Sequence, residues 1–100
     1  MASYQLSDLA LADLDRLYEH GIHTFGLRRA DEYYDGLIAR VQAIVHSPLQ
    51  WRRVDEISEG LRRSVFGSHS IYYLVDADDI AIVRILGYQD LGSSFDTAKK

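Results

Sequence analysis

Two runs of helical period meet at Gly26 with almost no chain between them. In the first, Leu14, Leu17, Tyr18, Ile22 and Phe25 recur at three- and four-residue spacing. They stand behind Ser7, a residue type that caps helix N-termini, and Asp8, an anion placed where the helix dipole favours one. Gly26 is a natural stop for this helix. In the second run, Ala30, Tyr33, Tyr34, Leu37, Ile38, Val41, Ile44 and Val45 keep the period until Ser47-Pro48, because proline disfavours helix at the residue before it. Helices joined by so short a link must lie antiparallel, as a hairpin with one apolar side to cover.

The remaining chain supplies a sheet to cover it. The start, SYQL, alternates polar and apolar residues and reads as a short edge strand. Leu49 to Glu59 has no period and reads as a surface loop anchored by the Trp51 indole. From Leu61 the period is two: Leu61, Arg63 and Val65 point one way, and Arg62, Ser64 and Phe66 the other. Gly67-Ser68 fits a glycine-first hairpin turn, HSIYYLVD is the next strand, and Asp76 to Asp79 form a polar turn. IAIVRIL is apolar on both faces, as in a central strand. The expected fold is α+β, a two-layer βααβββ arrangement with the helical hairpin packed on one face of a mostly antiparallel sheet. At 100 residues the chain is expected to be a single domain spanning 1–100.

Composition narrows the function. A formal charge of -4 argues against a general nucleic-acid binder, which needs clustered cations, so no direct nucleic-acid partner is expected. Without cysteine there is no disulfide, thiolate metal site or thiol nucleophile. The N-terminus lacks the pattern of a signal peptide and no apolar run approaches a membrane span, so a soluble cytoplasmic protein is expected, with no membrane partner. His20 and His23 have metal-compatible spacing but no third ligand, and DADD at 76–79 lacks the glycine and distal glutamate of a calcium loop. No metal and no cofactor are expected. Ser68 and His69, as strand neighbours, are expected on opposite faces and so unable to act as nucleophile and base.

Arginine carries the anomaly. Both lysines are terminal, so every internal cation is arginine, and Arg28-Arg29, Arg52-Arg53 and Arg62-Arg63 are adjacent pairs. For Arg28-Arg29 and Arg52-Arg53, solvated surface charge is the plainer explanation. Arg84 shares an alternation face with Ile80, Ile82 and Leu86, where an unpaired charge would cost several kcal/mol, so it must reach a carboxylate, water or a partner chain. Glu56 and Asp90 are the internal acids considered. The alternative is that the face opposite the helices is left open as a binding groove bearing arginines, tyrosines and aliphatic residues.

The order βααβββ, with SPLQWRR after the second helix, GLRRSVFGSHSIYYLVD and IAIVRILGYQD, resembles the RelE/ParE toxin superfamily, and within it the ParE branch. The resemblance covers nearly the whole chain and rests most on Gly60 to Arg63, Ser68-His69 with Ile71 and Tyr73, Ile82 to Leu86, and Gln89-Asp90. It implies a non-enzymatic toxin of a type II toxin-antitoxin pair, acting on DNA gyrase and neutralised by a ParD-like antitoxin encoded beside it, whose C-terminal segment wraps the toxin. Candidate contact residues for antitoxin or target are Arg62, Arg63, Tyr73, Arg84, Tyr88, Gln89 and Asp90. Arg84→Ala is expected to weaken antitoxin binding more than folding. The branch commonly carries histidine and then a basic residue after IL, where this chain has Gly87 and Tyr88.

The enzymatic alternative is a RelE-like ribonuclease cutting messenger RNA. Metal-free cleavage needs cations on the phosphate and groups to move two protons. Gln89 and Phe95 stand near where such ribonucleases carry an arginine and a tyrosine, which weighs against it; the reading would be marked by loss of RNA cleavage on changing Arg62, Arg63 or Tyr73. A non-toxic binding domain that keeps the fold is the third reading.

Overall fold

The computed structural model describes residues 3–87. Strand β1 (Ser3–Leu6) leads into helix α1 (Asp8–Phe25), then α2 (Leu27–His46), β2 (Arg62–Phe66), β3 (His69–Asp76) and β4 (Asp79–Gly87). The strands form one sheet in the order β1-β4-β3-β2. β2, β3 and β4 pair antiparallel as successive hairpins, and β1 pairs parallel with β4. The expected α+β order and layering are present.

Local chemistry accounts for the boundaries. Ser7 caps α1 by accepting the Ala10 amide at 3.0 Å. Gly26 joins the helices with φ +92°, a conformation that side-chain-bearing residues rarely adopt, which is how a single residue can reverse the chain. The apolar stripes of both helices meet one sheet face in a core of Ala10, Leu14, Leu37, Val41, Ile44, Ile71, Tyr73, Ile80, Ile82 and Ile85. Trp51 packs against this core, so the indole does anchor the long loop. Arg40 fastens α2 to β2, donating from Nη1 to Ser64 Oγ at 3.0 Å and to the Val65 carbonyl at 2.7 Å. Its guanidinium also lies within 6 Å of the Phe66 and Trp51 ring centres.

Strict alternation fails in β4. Tyr73 faces Ile82 while Tyr72 faces Arg84, so Val83 is an extra residue and the strand bulges. Beyond it the faces exchange: Ile85 joins Ile80 and Ile82 on the helix side, and Leu86 turns to the opposite face with Tyr72. The expectation that Arg84 shares a face with Ile80 and Ile82 is therefore corrected, while its register still sets it with Leu86, opposite Tyr72.

β1 pairs with β4 only as far as Leu6, opposite Ile82, and beyond it the cap and first turns of α1 take up the β4 edge. Ser7 donates its amide to the Ile82 carbonyl at 3.0 Å and its hydroxyl to the Val83 carbonyl at 2.7 Å. Asp13, 1% exposed, receives Arg84 Nε on Oδ2 at 2.9 Å and Arg84 Nη2 on Oδ1 at 3.0 Å. The same carboxylate accepts the Ile85 amide at 2.9 Å and Arg16 Nη2 at 2.7 Å. The acid that meets Arg84 is thus neither Glu56, which pairs with Arg52, nor Asp90, which lies outside the described residues.

Burial alone would raise the pKa of Asp13, but the bonds from Arg84, Ile85 and Arg16 outweigh it and hold the group below its ordinary value of 3.8. Because the folded pKa is depressed, this stabilisation is complete above that value and is lost as pH falls through the folded one. Asp13→Asn is expected to cost about 3 kcal/mol at neutral pH, since it leaves Arg84 facing an amide. In urea denaturation, the stability gap between wild type and variant should shrink as pH drops below 3.8.

Candidate functional site

Arg62 and Tyr73 are cross-strand neighbours on the helix side of the sheet, and both are spent on the chain itself. Arg62 Nη1 donates to the Trp51 carbonyl at 2.6 Å and, more weakly, to that of Leu49 at 3.4 Å. The Tyr73 side chain is fully buried and its hydroxyl donates to the Pro48 carbonyl at 2.5 Å. Burial pushes its pKa up, with nearby Arg62 opposing. Together they clamp the segment that follows α2 onto the sheet.

The opposite sheet face is partly closed by this chain. Val54 donates its amide to the Leu61 carbonyl at 2.7 Å, and Asp55 accepts the Gly60 amide at 2.7 Å, folding residues 54–61 into a compact flap. That flap sets Val54 and Leu61 against Tyr72 and Leu86, with Ile57 and Val83 at its margin. An entirely open groove is thus corrected to a smaller one. Val65, 55% exposed, and Leu74, 36% exposed, remain on it, beside half-buried Arg63, whose guanidinium makes no ion pair among the described residues. Arg84 keeps 18% of its side chain exposed at the bulge. Tyr88, Gln89 and Asp90 lie outside the described residues.

A second constellation lies on the helix side, at the end of the helical hairpin. Tyr33 Oη is 3.0 Å from the Phe66 carbonyl, 2.7 Å from His69 Nδ1 and 3.2 Å from the Ser68 amide. A hydroxyl has one proton to give, so all three contacts are satisfied together when His69 Nδ1 and the Ser68 amide donate to it and it donates to Phe66. Gly67, at φ +57° in the turn as the sequence suggested, permits this approach: a Cβ there would stand 2.7 Å from the hydroxyl. Because Ser68 sits in the turn and not in the strand, its Oγ comes to 3.4 Å from His69 Nδ1, correcting the expectation that the two point apart. Nδ1 is already engaged by Tyr33, at the shorter distance.

Beside this node opens a cavity of about 580 Å³ between α1, α2 and the end of β4. Leu17, Phe25, Ala30 and Ile85 form its apolar wall, and Arg16, His20 and Arg29 its basic rim. Sequence reasoning did not bring these residues together: it took Arg29 as solvated charge and weighed His20 only with His23, for a metal. Their signal was positional: Arg16 with His20, and Arg29 with Tyr33, are four apart on neighbouring helices, so each pair lines one face. Among the described residues no cluster of three or more His, Cys, Asp or Glu could hold a metal ion, and no helix is long and apolar enough to cross a membrane.

The family model for the ParE toxin of the type II toxin-antitoxin system parDE matches residues 4–90. The chain belongs to the ParE toxin family. It is 31% identical to Toxin ParE1 of Caulobacter vibrioides, over 86% of this chain and 88% of that one. It is also 31% identical to Toxin ParE1 of Mycobacterium tuberculosis, over 83% and 86%. A solved structure of the chromosomal ParDE TA system from P. aeruginosa shares the fold, with TM-score 0.77 at 24% identity, covering 87% of this chain and 96% of that one. The ParE-family match thus includes the clamp, the bulge and the cavity.

Tyr33→Phe in this ParE-family chain strips the shared acceptor from Ser68 and His69 and the donor from Phe66. A loss of about 1–3 kcal/mol in urea denaturation is expected. Tyr34→Phe, on the same helix, should cost less, since no hydrogen bond is made by that hydroxyl among the described residues.

Proposed function

We propose that this ParE toxin acts by binding alone, occupying a surface of DNA gyrase in the cytoplasm, and is neutralised by a ParD-like antitoxin. The observation that carries the choice of binding over chemistry is the burial of Tyr73: its hydroxyl is sealed from solvent against the Pro48 carbonyl. A proton carrier must come within hydrogen-bond reach of the group it serves. Arg62, the cation beside it, is held by the Trp51 carbonyl at 2.6 Å instead of facing a phosphate. Both facts weigh against the ribonuclease reading, as does the chain's charge of -4.

In this proposal the contact surface is the reduced groove of Arg63, Val65 and Leu74 with the exposed edge of Arg84, and Tyr88, Gln89 and Asp90 are further candidate contacts. Arg62 and Tyr73 contribute from within, by fixing the segment between α2 and the flap. A half-buried guanidinium among aliphatic residues suits a partner's carboxylate, with arginine and large apolar groups as typical interface anchors.

The test is a gyrase supercoiling assay with purified chain, with and without the antitoxin encoded beside it. Inhibition that the antitoxin relieves is the expected outcome. Tyr73→Phe should inhibit within about twofold of wild type while losing about 1 kcal/mol of stability with its hydrogen bond. Cell growth arrest with supercoiling intact, together with messenger RNA cleavage that Tyr73→Phe abolishes, would move the assignment to a ribonuclease.

A further inference from the structure

The sheet has two outer strands, β2 and β1, and their free edges differ in chemistry. An unpaired strand edge is a template for another strand, so folded proteins guard it with charge, proline, a bulge or a covering segment. β2 is guarded twice. It carries Arg62 and Arg63, and main-chain groups along its edge are already taken. The Arg63 amide donates to the Arg52 carbonyl at 3.0 Å, the Leu61 carbonyl just before the strand accepts from Val54 at 2.7 Å, and the Val65 carbonyl accepts from Arg40 at 2.7 Å.

β1 has none of these guards. Ser3, Tyr4, Gln5 and Leu6 include no charge and no proline, and they pair with β4 without a bulge. The Ser3 amide donates to the Asp78 carbonyl at 3.2 Å and the Ser7 amide to that of Ile82 at 3.0 Å, so the main chain of Ser3, Gln5 and Ser7 faces β4. Tyr4 and Leu6 therefore turn their N–H and C=O outward, and among the described residues neither makes a backbone bond there. Their side chains stand on the helix side, opposite Ile80 and Ile82, where a groove of about 340 Å³ is lined by Ser3, Tyr4, Gln42 and Val45. This border is uncharged as well. Between Arg40 and Arg52 the only titratable residue is His46, in a chain that is 26% charged.

We infer that β1 pairs edge to edge with β1 of a second copy of this chain, joining two four-stranded sheets into one. The strand is self-complementary about Gln5. In the antiparallel register, Tyr4 lies opposite Leu6 of the second copy, and Leu6 opposite its Tyr4. Both outward-facing residues then fall in hydrogen-bonded pairs, each exchanging N–H and C=O with its opposite. The same register sets an aromatic ring against an aliphatic chain at each pair, on the helix side of both sheets. Gln5 meets its own copy on the two-fold axis, where a charged residue would meet a like charge, so an uncharged strand is what self-pairing requires. Because the contact is isologous and both β2 edges are guarded, association stops at two chains. A strand of four residues buries little area, which makes the dimer a weak and exchanging one.

The test uses the full chain, which has no cysteine of its own. Gln5 occupies the non-hydrogen-bonded position on the axis, where Cα atoms of antiparallel neighbours stand about 4.5 Å apart, within reach of a disulfide. Under mild oxidation, Gln5→Cys is expected to give a disulfide-linked dimer at least about tenfold faster than Ser3→Cys, whose two copies lie about 14 Å apart in this register. Sedimentation of the wild-type chain up to about 0.5 mM should show a concentration-dependent monomer–dimer equilibrium. Gln5→Lys, at an exposed position, should fold as wild type does and stay monomeric at low salt.

A wild-type chain that stays monomeric over this range would overturn the inference. So would a dimer that survives Gln5→Lys undiminished, or Ser3→Cys linking as fast as Gln5→Cys, since either result puts the contact elsewhere. The outcome is independent of the antitoxin and gyrase readings, which use no residue of β1.

Discussion

The fold turns on a carboxylate buried where an apolar residue would be expected. Asp13 lies on the core stripe of α1, between Ala10 and Leu14, and is nearly inaccessible to water. A charge in that position is tolerable only if its lone pairs are filled, and Arg84, Arg16 and the Ile85 amide fill them. The Ile85 amide is available because β1 ends opposite Ile82, and the bulge at Val83 takes Arg84 out of the alternation of Ile80 and Ile82. Removing any one of these features strands the others. The bulge also decides which residues face where beyond it, sending Ile85 to the helices and Leu86 to the flap.

Much of this was legible in the sequence, for reasons that can be stated residue by residue. The helix periods, the Ser7 cap, the Gly26 link and the Gly67-Ser68 turn are local signals, and the local chemistry prevailed in each. The bulge was hidden because IAIVRIL is apolar at nearly every position, so a shift of one residue leaves no trace in alternation. The partner of Arg84 was missed for a related reason: Asp13 and Arg84 are 71 positions apart, and each was out of place only when compared with its own element. An acid on a helix core stripe and a cation inside a strand were the available clue. The flap escaped because residues 54–61 hold their shape through backbone bonds and one aspartate, which have no periodic signature.

The arginines now divide by what they touch. Arg40, Arg62 and Arg84 are connectors, joining helix to strand, loop to strand, and strand to helix through their forked donors. Arg63 and Arg29 have no such internal acid among the described residues; Arg63 stands beside exposed Val65 and Leu74, and Arg29 lines the cavity at the end of the hairpin.

The account depends most on the Asp13–Arg84 pair belonging to the scaffold, and a double-mutant cycle measures that directly. Asp13→Asn, Arg84→Gln and the double variant would be compared with wild type by urea denaturation at neutral pH. The account predicts that the single losses are large and strongly non-additive, with a coupling energy above about 1 kcal/mol. Additive losses with a coupling near zero, or an Arg84→Gln variant as stable as wild type, would contradict it and return Arg84 to the surface as a residue kept for a partner.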